Sequence, residues 1–230
     1  MTGIGITSNQ RGRNVAEGLA TAIHEHRLSP GMKLNEDEVG EIFGVSRTIV
    51  RSALQTLSHA QLVVIEPNRG AFVARPSIRE AREVFEARAL LETRTAHSAA
   101  TRATPEDIAL LKRHIDEEHR AFDAGETGRA LRLSGDFHIE IARIANQATI
   151  AAFVRQLVAR SSLIIALYWR RRQATCESHA HHALLKALEA HEADRAKELM
   201  TSHLVDLLSL LDLTEPTDAP ASLKEAFRLP

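Results

Sequence analysis

The 230-residue chain has a single cysteine, Cys176. An internal disulfide needs two, so a disulfide-built secreted scaffold is excluded. Aromatic residues make up only 4%, which argues against a β-sandwich or barrel and for helices packed on Ala and Leu. Charge of one sign is also lacking. Lys and Arg number 29 against 30 Asp and Glu, for a net charge of −1. Global charge therefore says nothing about nucleic acid, and any such case has to come from local placement. Long hydrophobic runs are missing. The longest notable one, Leu163 to Trp169, is far short of the roughly 20 residues of a membrane span. The opening MTGIGITSNQRGR has no apolar signal core, which predicts a soluble cytoplasmic protein with no membrane partner. What the chain does have is 44% apolar residues, enough for a packed core, so wholesale disorder is excluded.

The chain changes character near Arg75-Pro76-Ser77. The pattern predicts a mainly α protein in three parts: 1–76, an all-helical 77–213, and a tail 214–230. In the first part, Val15, Leu19, Ala22 and Ile23 mark one helix face. Asn35 with Glu38 three residues on predicts a capping box for a short helix that ends at Gly44. Ser46 is the next candidate cap, opening a helix whose Ile49, Val50, Ala53, Leu54 and Leu57 face inward. Leu62–Ile65 and Ala71–Val73 read as two short strands around the turn residues Glu66–Gly70, a small β-hairpin. The second part reads as six or seven helices near 78–101, 105–123, 127–145, 148–170, 178–190 and 192–212, with Ser77 and Thr104-Pro105 as helix starts.

Two short helices joined at Phe43-Gly44-Val45-Ser46 and followed by a hairpin make a winged helix-turn-helix pattern. In that arrangement the second helix places its first residues against base edges in the major groove of double-stranded DNA. Those residues are Ser46, Arg47 and Thr48, with Arg51 one turn later on the same face. A guanidinium grips guanine O6 and N7 with two parallel bonds, worth ~1–3 kcal/mol of base discrimination. Ser46, Thr48 and the free N–H groups of the helix start suit phosphate. Arg69 and Gly70 at the wing tip suit the minor groove, and Arg11 and Arg13 suit phosphate contact from the N-terminal arm. The competing reading is a small helical domain with scattered surface arginines.

From Leu28-Ser29-Pro30-Gly31 through Phe43-Gly44-Val45-Ser46-Arg47-Thr48, Val50-Arg51 and Asn68-Arg69-Gly70-Ala71-Phe72-Val73, the chain resembles the winged-helix domain of GntR-family transcription regulators. The resemblance implies homodimers on short inverted repeats. It also implies DNA contacts at Arg47, Thr48, Arg51, Arg69 and Gly70. Asp37 stands where some members carry a DNA-contacting arginine, and Ile49 where proline is common.

In the second part, histidine is the informative residue. His138, His181 and His203 lie on three amphipathic segments beside apolar neighbours. Neutral imidazoles converging inside a bundle suit a divalent metal such as Zn²⁺ or Ni²⁺. The competing reading is three separate core or surface histidines. From Ala87-Arg88 with Glu92 through Phe137-His138, His181 and Ala196–His203, the region resembles the C-terminal effector domain of the FadR subfamily. There an Asp or Asn four residues before the first histidine, plus three histidines, hold a divalent metal. That acidic position falls on Ser134, while Asp136 lies about 200° around the helix from it. The resemblance implies effector binding near Ser134, with Arg88 gripping a carboxylate and a small organic acid as ligand. For Arg88 the alternative is an i,i+4 surface pair with Glu92. Asn146 replaces a glycine at a helix end, and Asn tolerates the left-handed conformation. Arg170–Arg172 reads as a basic run facing solvent, a partner or phosphate.

The sequence thus predicts a metabolite-responsive DNA-binding regulator. A metal-dependent hydrolase built on the three histidines is the alternative, and a constitutive DNA-binding protein with a purely dimerising bundle is a third reading.

Overall fold

The structure, a computed structural model, describes residues 8–169 and 177–214. Along the chain lie α1 (Ser8–His24), β1 (Lys33–Leu34), α2 (Glu36–Phe43), α3 (Arg47–His59), β2 (Val63–Glu66) and β3 (Gly70–Val73). They are followed by α4 (Ile78–Ala100), α5 (Pro105–Asp123), α6 (Thr127–Ile144), α7 (Ala148–Tyr168), α8 (Glu177–Glu189) and α9 (Ala193–Ser209). The architecture is mainly α, a winged helix-turn-helix followed by a bundle of six described helices, as the sequence predicts. Arg170–Arg172, Cys176 and the tail beyond Thr214 lie outside the described residues.

Local chemistry sets most element boundaries. Ser77 and Glu80 exchange side-chain-to-backbone bonds at the start of α4, and Thr104 and Asp107 do the same for α5, with Pro105 in its first turn. Asn35 does cap α2, but its side-chain oxygen accepts from the Asp37 N–H at 2.9 Å. The reciprocal bond expected from Glu38 is not part of this cap. Ser46 occupies the cap position of α3 without a side-chain cap bond. Gly44 and Asn146 are left-handed, at φ 62° and 54°.

The sheet has three strands where the sequence suggested two. β1 adds to β3 through Lys33↔Phe72 and Leu34↔Ala71, giving the antiparallel order β1-β3-β2. Two residues are too few to show a period of two, which is why β1 is silent in the sequence.

Two large apolar clusters organise the chain. One joins Val15, Leu19 and Ile23 of α1 to Val50, Leu54 and Leu57 of α3, and takes in Leu163 of α7. The other gathers Phe137, Ile141, Leu184, Leu188 and Met200 from α6, α8 and α9. α7 is long and apolar enough to cross a membrane by length and composition. It packs against α4, α6 and α1 instead, with Val154, Val158, Leu163 and Ile164 turned inward.

The end of α1 is bolted to the bundle by polar contacts. His26 Nε2 donates to the Ser162 carbonyl at 3.1 Å, and Ser162 Oγ donates to the His24 carbonyl at 3.3 Å. Arg132 of α6 donates to Glu25 at 3.1 Å. α6 begins so close that a Cβ built on Gly128 would stand 2.0 Å from the Glu25 carbonyl oxygen. Only glycine permits that approach.

His24 is largely buried here. Its pKa falls to about 4, first through burial and then through the nearby Arg132 charge; His26 adds to the fall and Glu25 opposes it. The folded state thus refuses a proton that the unfolded chain accepts near pH 6.5. Stability is complete above that pH and is lost as pH falls toward 4, by on the order of 3 kcal/mol for this group. Urea unfolding between pH 7 and 4.5 checks this: His24→Leu should flatten the pH dependence relative to the natural chain.

Candidate functional site

α3 has an apolar face and a bare one. Val50, Ala53, Leu54 and Leu57 are buried against α1 and the sheet. On the opposite face Ser46, Arg47, Thr48 and Arg51 are exposed, with the Arg47 and Arg51 side chains 63% and 65% accessible. Arg69 projects from the wing, 71% accessible, its guanidinium 5.6 Å from the Phe72 ring centre. Gly70 has φ 101°, which side-chain-bearing residues rarely adopt, so it shapes the turn that carries Arg69. Arg11 and Arg13 are exposed on α1.

Arg47, Arg51 and Arg69 each have a carboxylate beside them. Arg47 donates through Nε and Nη2 to the two oxygens of Asp37. Arg51 Nε donates to both oxygens of Glu36 at 2.9 and 2.8 Å. Arg69 Nη1 contacts Glu66 across the turn.

The bundle brings His138 of α6, His181 of α8 and His203 of α9 together, all buried. One ring nitrogen from each lies within 4.8 Å of the others, and among the described residues this is the group with metal-ligand spacing. His138 Nε2 and His203 Nε2 are 3.2 Å apart. His181 Nδ1 donates to Glu118 at 2.9 Å, which leaves its Nε2 as a lone pair, buried and without a partner. His138 Nδ1 lies 2.7 Å from Glu92, in a bent contact of ion-pair length. Burial lowers the His138 pKa against the pull of Glu92, and burial with the neighbouring imidazoles lowers that of His203 further. Three buried imidazoles with converging ring nitrogens form a donor set for a cation. The residues therefore fit a metal.

For Arg88 the structure bears on the pairing with Glu92. Arg88 does pair with Glu92 at 2.5 Å, but inside the bundle and not on its surface. It also donates to Ser161 Oγ at 3.0 Å. Burial alone would raise the Glu92 pKa, but Arg88 and His138 outweigh that and hold it at about 2. Ser134 is buried and, with Arg88, His138 and Ser161, lines a cavity of about 90 Å³ that continues to His24 and His26. Asp136, the nearest acid along the chain, is taken by Arg132 at 2.7 Å. His179 is exposed, and His182 stacks on His119 with ring centres 5.2 Å apart. Neither joins the cluster.

Glu118 was not anticipated. Its signal is nevertheless in the sequence: it falls at helical spacing after Leu111 and Ile115, a carboxylate on an apolar stripe. Such a residue is rarely buried without a partner, and here the partner is His181.

With this geometry in hand, comparison with known proteins is specific. Residues 11–73 match the bacterial regulatory proteins of the gntR family, and residues 83–206 match the FCD domain. The Uxu operon regulator of Haemophilus influenzae is 30% identical over 90% of this chain and 86% of its own. The Nta operon transcriptional regulator of Aminobacter aminovorans is 25% identical over 78% of this chain and 84% of its own. Among solved structures, E. coli McbR/YncC superposes with a TM-score of 0.78 at 21% identity, covering 86% of this chain and 95% of that one.

Removing one half of a buried ion pair strands the other half. Glu92→Leu should destabilise the chain by about 3–5 kcal/mol in urea unfolding, because Arg88 keeps its charge. Arg88→Met should also destabilise. The double variant should lose clearly less than the two single losses added together.

Proposed function

The chain belongs to the GntR family of bacterial regulatory proteins, with an FCD domain as its C-terminal part, and from that premise we propose how it reads DNA and what it senses. It is a DNA-binding transcription regulator and not an enzyme; its relatives are regulators, which sets the hydrolase alternative aside. Our reading assigns residues 1–76 to DNA recognition, 77–213 to sensing and dimer formation, and places the protein in the cytoplasm.

The observation that carries the DNA reading is the bare face of α3, where Arg47 and Arg51 stand one turn apart. In this reading α3 enters the major groove and the two guanidiniums meet guanine edges. The hydroxyls of Ser46 and Thr48 and the free N–H groups of the helix start take phosphate. The Ser46 hydroxyl makes no cap bond that would compete. Arg69, presented by the turn at Gly70, reaches the minor groove. A homodimer on an inverted repeat supplies two such heads.

In the sensing part, His138, His181 and His203 would hold a divalent ion, Zn²⁺ or Ni²⁺. When bound, such an ion supplies open positions for oxygen donors. Glu92 and Glu118 keep protons on the Nδ1 side of two rings, so that Nε2 is the ligating atom. Ser134 leaves the family's acidic position neutral, and the cavity in front of it admits a small organic acid. Arg88, already orienting Ser161, offers it a guanidinium. Ligand binding then shifts the population between dimer geometries whose two heads are spaced differently.

Two measurements check this. Arg47→Ala and Arg51→Ala should each weaken binding to a selected site by about tenfold or more, with unchanged thermal midpoints. If both bind like the natural chain, α3 is not the reading helix. Elemental analysis should find one divalent ion per chain, and His181→Ala or His203→Ala should lower that content sharply. Unchanged content would place the ion elsewhere.

A further inference from the structure

The three arginines proposed to face the duplex are not free cations. Arg47 is held by Asp37, Arg51 by Glu36 and Arg69 by Glu66. Asp37 and Glu36 lie in the first turn of α2, where acidic side chains also suit the helix dipole. Their positions are fixed by the Asn35 cap, which takes the Asp37 N–H.

Stability does not explain these pairs. They are largely exposed, and exposed ion pairs contribute little to folding. They also reduce the attraction to phosphate, since residues 1–76 hold 8 Lys and Arg against 7 Asp and Glu. A head that relied on backbone charge for affinity would gain by losing these acids.

The donor atoms tell what the pairs are for. A guanidinium has a side edge, Nε with Nη2, and an end edge, Nη1 with the other hydrogen of Nη2. Asp37 occupies only the side edge of Arg47, with one oxygen on Nε and one on Nη2. Glu36 occupies only Nε of Arg51. In both residues the end edge stays open, and it carries the two parallel N–H groups that match guanine O6 and N7. A side-edge clamp also removes rotamers in which the arginine swings to a phosphate instead.

We infer that Asp37, and in parallel Glu36, are specificity-determining positioning residues: they hold Arg47 and Arg51 end-on to the bases and keep them off the phosphates. The inference rests on α3 being the reading helix. As the pair enters the groove and loses water, the clamp strengthens, because the local dielectric falls. The carboxylates thus lower affinity for any duplex while raising the preference for the right one, which is how discrimination is gained at the expense of raw affinity.

The test uses the full chain and a randomised duplex library, with sequencing of the selected DNA. The natural protein should select a motif in which one guanine position depends on Arg47, as shown by its loss in Arg47→Ala. Asp37→Ala should lower the preference at that same position by about tenfold or more and leave the other positions unchanged. Asp37→Asn, which keeps one acceptor oxygen and the side-chain size, should fall between the two. Asp37→Glu, which retains a carboxylate, should restore much of the preference, as a purely structural role would not require. Binding of Asp37→Ala to random-sequence duplex should tighten several-fold, and its dependence of log K on log salt should steepen by about one unit, as Arg47 becomes a phosphate contact. Glu36→Gln should act in the same way on the Arg51 position alone. Asp37→Ala keeping its guanine preference while Arg47→Ala loses it overturns the clamp and leaves the reading helix intact. A motif unaffected by Arg47→Ala and Arg51→Ala overturns the assignment of α3, and the clamp with it. Matching thermal midpoints separate either result from misfolding, and Asp37→Asn decides the matter if Asp37→Ala does not fold.

Discussion

Glu92 is a carboxylate with no access to water, and the bundle is arranged around that fact. An isolated charge in such a place is prohibitive, so its oxygens have to be met by other charged or polar groups. Arg88, one turn away on α4, meets it from one side and His138 of α6 from the other. Arg88 then reaches Ser161 of α7, and His138 lies against His203 of α9. One buried carboxylate therefore ties four helices into a single register. Apolar side chains of the same volume fill such a space at least as stably. A chain that instead keeps two charges and three imidazoles there gives up stability for chemistry, and the second carboxylate–imidazole pair, Glu118 with His181, repeats the same choice from α5 and α8.

That distinction separates what could be read from the sequence from what could not. Helix starts were legible at Ser77, Thr104 and Asn35 because caps are local: the bonding groups lie two or three residues apart. Left-handed ends were legible at Gly44 and Asn146 for the same reason. The convergence of His138, His181 and His203 was suggested only because each sits on an apolar stripe and the region resembles a known family. The pairs made across the fold left no local trace. Asp37 and Arg47 are ten residues apart, and Glu36 and Arg51 fifteen, at spacings that no helical or strand period selects. Arg88 shows the limit most clearly: its i,i+4 relation to Glu92 was correct, but spacing alone cannot say whether a pair lies at a surface or in a core.

The reading head and the bundle are not two beads on a string. Leu163 of α7 belongs to the same apolar cluster as α1 and α3, and the segment just after α1 is fastened through His26, Glu25 and the close approach at Gly128. Rotating the head would break a charge-assisted bond, expose a buried leucine and reopen a contact that only glycine allows. Small displacements in such a junction are resisted, so the head favours discrete positions over a continuum.

This bears on how sensing reaches DNA in the proposed mechanism. A ligand can shift an equilibrium only by contacts that differ between its two states. A cavity lined by bundle residues alone would see little change when the head moves. The cavity lined by Arg88 and Ser134 is also lined by His24, the last residue of α1, and by His26 just beyond it. Anything filling it touches the element that carries the head, and its contacts change when α1 shifts. Arg132, shared between Glu25 of the head and Asp136 of the bundle, lines the same cavity, and an anion there competes with Glu25 for it. The differential interaction that allostery needs is thus local: a few ångströms of polar junction at the end of α1, with no relay through the packed core.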